Sequence, residues 1–348
     1  MISWVLRRQL FLKRHLISAL GYNPKNATSL FQKEEPSKVK SEFVERYADS
    51  SFTEMLDPRN YKQRGHYFEA RGVFIVKDVV LEPRQGIIYT QGGYLIEEST
   101  SWSVLSQYNS FPWNFKKLSK KTNLKNAIYV TSNSYGHWLI EDLALTIATM
   151  SKFPDSPIIC HKNPPKYVID FLHTANREVT YVDGPVQVDS LIMITKGNDS
   201  GWVHPQDFLE LTNYEPFKIA MKSPSRVEKV YASRIGLRRS PINEFQVEKI
   251  FKELDFVSIH LEDLGLIQEI SLISGLKYLA GIHGSTFVNQ IWMSSGPKVL
   301  EIVNKNYWTE MDHSKLSEKH IKKSFFSYEG PLNGEVPLGE LNTFLKEF

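Results

Sequence analysis

The chain is poor in cysteine and in net charge, and each shortage removes a class of protein. Cys160 is the only cysteine among 348 residues, so neither an intrachain disulfide nor a cysteine-based zinc site can form. This composition predicts a reducing, cytoplasmic location. The net charge is only +3, and no basic run is interleaved with aromatic residues, so we expect no nucleic-acid partner.

Long apolar runs are also missing, since no stretch approaches the roughly 18 apolar residues of a transmembrane helix. Residues 1–20 mix apolar side chains with arginine, lysine and histidine and contain no carboxylate. One interpretation is a basic amphipathic helix that lies on an anionic membrane surface, at its inner face. The other is a helix that docks on protein. Residues 23–40 have the composition of a linker, so residues 1–40 are predicted to form a helix and a linker.

Familiar nucleotide and metal motifs are absent as well. The sequence has no Gly-x-x-x-x-Gly-Lys-Ser/Thr and no Gly-x-Gly-x-x-Gly, so neither a P-loop nor a Rossmann fingerprint is present. It also lacks Asp-x-Asp, and its histidines do not have the spacing of His-Glu-x-x-His. We therefore expect no metal site and no cofactor.

The apolar runs that are present predict an α/β protein. Residues 72–101 alternate β-rich runs with turns, which is typical of antiparallel hairpins. After residue 126 strands alternate with helices, and this alternation predicts a parallel sheet covered on both faces. The predicted strands are 127–130, 157–160, 179–182 and 191–194, and the predicted helices are 137–150 and 165–175.

A second α/β unit follows residues 197–224, which are polar and turn-rich and predict a crossover between domains. Its strands are expected at 230–233 and 256–259, with a helix capped by Asn243 and Gln246 between them. We therefore predict two Rossmann-like domains facing a central cleft. The domains are expected at 41–205, which contains the hairpins, and at 206–325. Residues 326–348 are predicted to form a tail or helix that packs back on the first domain.

The segment from Lys277 to Val303 reads as strand, glycine loop, helix and strand, the arrangement with which α/β domains bind anions. Glycines flank His283 and allow backbone N–H groups to approach a ligand, while a helix beginning at Ser285 or Thr286 directs its positive end there. Glu301 is spaced to accept ribose hydroxyls. The alternative is a close strand-to-helix turn in which His283 is a hydrogen-bonded, semi-buried residue.

Arg234 directly follows a predicted strand of the second unit. A guanidinium at the carboxyl end of a strand is well placed to bind a diphosphate and to neutralise the leaving group without a metal. Arg238 and Arg239 follow closely, and their alternative interpretation is as solvated charges of a turn.

The first unit has its own polar cluster, just past the strand that ends at Val130. His137 and Glu141 are four residues apart on a predicted helix and share one face, so both can project into a cleft. A histidine hydrogen-bonded to a carboxylate is suited to act as a general base. We favour Glu141 as the base, since a carboxylate is ionised at neutral pH, with His137 orienting it; the reverse assignment stays open. Asp142 turns away from this face and is expected to be a surface or capping carboxylate. The alternative is a pair that only stabilises the helix.

Together these motifs resemble, in order and spacing, those of glycosyltransferase family 61, which includes capsular and extracellular polysaccharide biosynthesis proteins. The resemblance covers residues 72–303 and rests on Asn133 to Glu141, on Ser233-Arg234, and on Gly281 to Thr286 with Glu301. The resemblance implies a GT-B-like architecture, with the acceptor side in residues 41–205 and the nucleotide sugar in residues 206–325. By resemblance, His137 and Glu141 are the acceptor-side catalytic residues. The donor-binding residues that the resemblance implies are Arg234, Arg239, Asn243, His283, Gly284, Ser285, Thr286, Asn289 and Glu301.

Two departures from the family pattern leave the acceptor open. Leu143-Ala144-Leu145 stands where the family helix often continues Leu-Pro-Arg, and Ser285 replaces a common alanine. The resemblance implies an inverting, metal-independent transfer of sugar from a nucleoside diphosphate sugar, by resemblance UDP-linked, to a glycan or lipid-linked acceptor. The alternatives are a nucleotide-sugar epimerase or hydrolase on the same fold, and a non-catalytic module that binds nucleotide sugar or glycan.

Overall fold

The computed structural model describes residues 27–28, 30, 39–57, 62–68, 70–99, 120–196, 203–294, 296–307 and 321–348. The amphipathic helix predicted for residues 1–20, and most of the predicted linker, lie outside the described residues. Among the described helices, none combines the length and the apolar character that crossing a membrane requires.

The N-terminal part forms a seven-stranded sheet and a separate two-stranded hairpin. The strands are β1 Ala27–Thr28, β2 Lys40–Ala48, β3 Ser51–Asp57, β4 Lys62–Phe68, β5 Arg71–Glu82, β6 Ile87–Thr90, β7 Leu95–Ile96, β8 Lys120–Lys121 and β12 Val186–Ile194. The antiparallel hairpins predicted for residues 72–101 are confirmed, because β5 pairs antiparallel with β6 and β6 with β7. The strand predicted at 191–194 is the second half of β12, which pairs antiparallel with β5. The parallel pairing that was predicted for residues 191–194 is limited to one bridge, between Leu191 and Ala127.

A parallel sheet of three strands follows, in the order β11–β10–β9. Its strands are β9 Ile128–Val130, β10 Ile158–His161 and β11 Val179–Val182. Helix α1 comes after β9 and consists of Tyr135–His137, a π-helical turn at Trp138–Leu143, and Ala144–Lys152. Helix α2, Lys166–Ala175, comes after β10. The predicted alternation of strands and helices is therefore confirmed here.

The predicted crossover at 197–224 contains two helices, α3 at Pro205–Asn213 and α4 at Glu215–Lys222. Each begins with a proline in its first turn, a position that suits proline because the missing N–H would have no partner there. This signal is present in the sequence and marks both starts. Helix α3 is fixed by Asp207, which is buried and binds Arg71 of β5 at 2.7 Å.

The C-terminal sheet has five parallel strands in the order β14–β13–β15–β16–β17. They are β13 Lys229–Ala232, β14 Val257–Ile259, β15 Tyr278–Ile282, β16 Lys298–Asn304 and β17 Lys322–Tyr328. Helix α5, Glu244–Glu253, follows β13; helix α6, Leu266–Ser274, follows β14; a 3-10 helix, Ser285–Trp292, follows β15. Because the strands are parallel, all three helices begin at the same edge of the sheet, the carboxyl edge, where ligands of α/β proteins bind.

In the described part of the chain, residues 326–348 pack with the C-terminal sheet, whereas packing on the first domain was predicted. They contain the second half of β17 and helix α7, Leu338–Leu345. Phe326, Tyr328 and Leu341 are buried in the same cluster as Tyr231 and Phe251. The tail is therefore part of the C-terminal sheet and its helical cover.

One hydrophobic core runs across both parallel sheets. Phe217 of α4 stands between them, since its ring centre lies 6.5 Å from that of Phe171 in α2 and 5.3 Å from that of Trp292 in the 3-10 helix. The attraction between buried aromatic rings at these separations adds to the stability that comes from burying their surface area. The α/β class is confirmed, and the GT-B arrangement of two domains remains a prediction.

Candidate active site

His137 and Glu141, the pair predicted for the acceptor side and called here the acceptor-side pair, lie at the start of α1. Nδ1 of His137 is 2.5 Å from Oε1 of Glu141, so the two side chains predicted to share a face are in contact. A π-helical turn, Trp138–Leu143, begins directly after His137 and contains Glu141. Such turns widen a helix locally and are frequent at functional sites.

Within this pair the histidine is the more accessible member, with 22 % of its side chain exposed against 8 % for Glu141. A neutral imidazole that donates its Nδ1 proton to a carboxylate carries its lone pair on Nε2. Burial acts to lower the pKa of His137, but the hydrogen bond and the charge of Glu141 outweigh it and raise the pKa above its ordinary value. The geometry therefore favours the reverse of the assignment preferred from sequence, with His137 facing the substrate and Glu141 behind it.

Asp142 was predicted as a surface or capping carboxylate, but its side chain is buried. It accepts a hydrogen bond from Oγ1 of Thr131 at 2.6 Å and forms an ion pair with Nζ of Lys196, which is also buried. Burial acts to lower the pKa of Lys196, and the charge of Asp142 outweighs it, so the pKa is raised. Lys196 follows β12, so the ion pair between Lys196 and Asp142 links α1 to the antiparallel sheet. No sequence motif indicated Lys196 as a partner of Asp142.

Replacing Lys196 with methionine should lower the free energy of unfolding by about 3–5 kcal/mol, because it leaves the Asp142 carboxylate buried without its counter-ion. Urea denaturation measures this change. The matched control is Asp142→Asn combined with Lys196→Met, which removes both charges and should recover a large part of the loss. A loss below about 1 kcal/mol in Lys196→Met, the range of exposed pairs, would contradict a buried pair.

The donor-side loop lies at the carboxyl edge of the C-terminal sheet. After β15 come His283 and Gly284, and the 3-10 helix begins at Ser285, where a helix start was predicted. Gly284 also has a consequence that the sequence pattern did not indicate. A Cβ atom on Gly284 would lie 2.0 Å from Nη1 of Arg234, so the absence of a side chain makes room for that guanidinium. The two donor motifs, far apart in sequence, therefore meet.

Arg234 presents a partly buried cation. Its backbone N–H donates to Oε1 of Glu244 at 2.7 Å and its Nη2 to the carbonyl oxygen of Arg238 at 2.9 Å. In the described part of the chain no carboxylate forms an ion pair with its guanidinium. Burial, followed by the charge of Arg239, lowers the pKa of Arg234. Two guanidinium groups at this edge without a paired carboxylate favour an anionic ligand.

His283 is held by a buried charged group. Its Nδ1 contacts Oε1 of Glu301, whose Oε2 lies 2.9 Å from Nζ of Lys323 in β17. Burial acts to raise the pKa of Glu301, but Lys323 and then His283 outweigh it and hold this pKa far below its ordinary value. Both carboxylate oxygens bind protein groups, so Glu301 orients His283, while its contact with ribose stays a prediction.

Two further predicted donor residues are buried supports. The side chain of Asn243 bonds the backbone of Val336, with distances of 2.8 and 2.9 Å, and forms no helix cap, so the predicted capping box is wrong. Asn289 accepts from the hydroxyl of Tyr135 at 2.7 Å and donates to Glu269 at 2.6 Å. Burial raises the pKa of Glu269 to about 7.

The bond between Tyr135 and Asn289 joins the two halves of the site. Tyr135 lies two residues before His137, and Asn289 belongs to the 3-10 helix that begins after Gly284. The acceptor-side pair and the donor-side loop therefore stand on two elements in direct contact. Throughout the described ranges, no group of three or more histidine, cysteine, aspartate or glutamate residues is arranged to hold a metal ion.

Comparison with known families gives a match for this part of the chain. Residues 135–300 match the model of the family described as Glycosyltransferase 61. The matched stretch begins at Tyr135 and contains His137, Glu141, Arg234 and the donor-side loop. No curated protein matches the chain. Over residues 135–300, which hold both halves of the site, the chain is thus similar to glycosyltransferase family 61, and this supports glycosyltransferase activity in general.

Proposed function

We propose that the protein is an inverting, metal-independent glycosyltransferase. It moves a sugar from a nucleoside diphosphate sugar, UDP-linked, to a glycan or lipid-linked acceptor in capsular or extracellular polysaccharide biosynthesis. One observation carries the proposal: the Arg234 guanidinium, without a paired carboxylate among the described residues, packs on Gly284 at the start of a helix that also contacts the helix of His137.

The donor diphosphate binds between Arg234 and the helix start at Ser285 and Thr286. Guanidinium groups form paired, charge-assisted hydrogen bonds to phosphate oxygens, and N–H groups at a helix start complement the same charge. Arg239 adds a second positive charge beside Arg234. These groups stabilise the negative charge that grows on the diphosphate as it leaves, the task that a metal ion performs in other enzymes.

The acceptor hydroxyl is activated from the opposite side of the cleft. Nε2 of His137 takes its proton as the oxygen attacks the anomeric carbon, and the bond from that carbon to the diphosphate oxygen breaks. Glu141 holds Nδ1 and stabilises the imidazolium that forms, as a carboxylate behind a catalytic histidine does. Attack from the face opposite the leaving group inverts the configuration of the anomeric carbon.

A panel of nucleotide sugars distinguishes this function from the two alternatives. The purified protein is mixed with each donor, with and without glycan or lipid-linked acceptors, and released nucleotide is measured. A transferase releases nucleoside diphosphate only when an acceptor is present. Chemical conversion of the nucleotide sugar in the absence of acceptor would indicate an epimerase or hydrolase. Binding of the nucleotide sugar without any reaction would indicate a non-catalytic module.

Catalysis should also persist in a chelator, since cationic side chains and a helix start are proposed to stabilise the leaving group. The measurement compares turnover before and after treatment with EDTA. Unchanged turnover supports the proposal. Complete loss of activity in EDTA, restored by added manganese or magnesium, would assign leaving-group stabilisation to a metal ion.

A further inference from the structure

A third buried side chain meets the hydrogen bond that joins the two halves of the site. Glu269 of α6 is 6 % exposed, and its Oε1 accepts from Nδ2 of Asn289 at 2.6 Å. The hydroxyl group of Tyr135 donates to Oδ1 of Asn289 at 2.7 Å and also lies within hydrogen-bonding reach of Glu269. These three side chains, called here the bridge cluster, therefore connect α1, the 3-10 helix and α6.

The number of hydrogen atoms in the bridge cluster decides which state of Glu269 fits it. Tyr135 has one hydroxyl hydrogen, and the bond to Oδ1 of Asn289 uses it. A hydrogen bond between Tyr135 and Glu269 then needs a second hydrogen, which a protonated carboxyl group supplies. An ionised Glu269 would instead take the hydroxyl hydrogen, and Oδ1 of the fully buried Asn289 would lose its donor. A buried acceptor without a donor is costly, so the protonated form fits better.

The surroundings of Glu269 also favour the protonated form. Burial raises the pKa of Glu269 to about 7, against the hydrogen bonds of Tyr135 and Asn289. The charge of Glu262, in the turn before α6, raises this pKa further, and the charge of Lys166 in α2 lowers it. Nζ of Lys166 donates to two backbone carbonyl oxygens at that turn, at 3.0 and 2.6 Å. Helix α4 also packs on α6, and the residues that α4 buries are apolar.

We propose that Glu269 is a positioning residue that carries a proton in the active enzyme and closes the bridge cluster as a ring of three hydrogen bonds. Its O–H donates to the hydroxyl oxygen of Tyr135, Tyr135 donates to Oδ1 of Asn289, and Nδ2 of Asn289 donates to Oε1 of Glu269. The ring holds the helix of His137 against the donor-side loop, and loss of the proton opens it. The positioning role rests on the proposed function, whereas the proton on Glu269 does not depend on it.

The proton on Glu269 can be observed without any substrate. Infrared difference spectra of the full chain are recorded between about pH 5.5 and about pH 8.5, where the C=O stretch of a carboxylic acid disappears as the group ionises. We expect such a band with a midpoint at about 7, and we expect Glu269→Gln to lack it. The matched control, Glu248→Gln, removes another buried carboxylate, on α5, and should retain the band. Identical spectra for the wild type and Glu269→Gln would overturn the proposal.

The positioning role is tested by turnover at the same pH values. Glutamine at residue 269 keeps the ring closed at every pH, because its amide group donates to Tyr135 and accepts from Asn289, whereas Glu269→Leu opens the ring at every pH. The ratio of turnover in Glu269→Gln to turnover in the wild type should rise about tenfold as the pH rises through the pKa of Glu269. This ratio cancels the contribution of His137, which is the same in both proteins.

The outcomes separate this proposal from the proposed function. A ratio that stays constant with pH, or wild-type turnover in Glu269→Leu, would overturn the positioning role. If the wild type shows the infrared band but releases no nucleotide with any acceptor, the proposed function is contradicted and the protonated ring is supported.

Discussion

Replacing His137 with alanine is expected to lower turnover by about two to four orders of magnitude and to leave donor affinity nearly unchanged. The reason is that Nε2 of His137 is the accessible basic atom of the pair, while Glu141 holds Nδ1 from a more buried position. The measurement is the turnover number and the dissociation constant for the donor, each determined for the wild type and for His137→Ala.

The pH dependence separates the two possible bases. His137 must be neutral to accept a proton, and its pKa is raised, so the acidic limb of kcat/KM should lie above about 6.5. Glu141→Gln removes the charge that raises this pKa, so it should lower turnover and move the limb to lower pH. If the acidic limb of the wild-type kcat/KM profile lies at about 4.3, the ordinary pKa of glutamate, Glu141 is the base instead.

Replacing Gly284 with alanine should weaken binding of the nucleoside diphosphate about 30- to 150-fold, as should Arg234→Ala. The new methyl group would overlap Nη1 of Arg234 and displace the guanidinium from the edge where the donor is proposed to bind. Because the displaced atoms end a flexible side chain, the fold should persist. Titration calorimetry with a nucleoside diphosphate measures the loss.

The control for this prediction is Gly339→Ala in α7, where a Cβ atom meets nothing within 4 Å. It should bind the nucleoside diphosphate as the wild type does. Wild-type affinity in Gly284→Ala would mean that the contact between Arg234 and Gly284 has no part in donor binding. Loss of the folded state in Gly284→Ala, seen by circular dichroism, would mean that the loop cannot yield.

Sequence patterns predicted most of the local structure around the site. Periodicity gave the strands and helices that carry His137, Arg234 and His283, since each follows a short buried strand. The contact between His137 and Glu141 follows from a spacing of four residues on a helix.

Pairings between distant segments were not predictable in this way. The approach of Arg234 to Gly284 joins residues 50 positions apart, and the spacing within either motif says nothing about it. The burial of Asp142 depends on Lys196, which comes from the antiparallel sheet. Likewise, Glu301 is occupied because β17 brings Lys323 beside it, and β17 was not predicted as a strand.

The central claim is that binding of the donor and activation of the acceptor occur in one cleft but on separate groups. It is tested most directly by measuring donor affinity and acceptor-dependent nucleotide release for His137→Ala and Gly284→Ala side by side. We predict that His137→Ala binds the donor like the wild type but releases almost no nucleotide, whereas Gly284→Ala loses donor affinity. If His137→Ala loses donor affinity and Gly284→Ala retains it, the two halves of the site have been assigned wrongly.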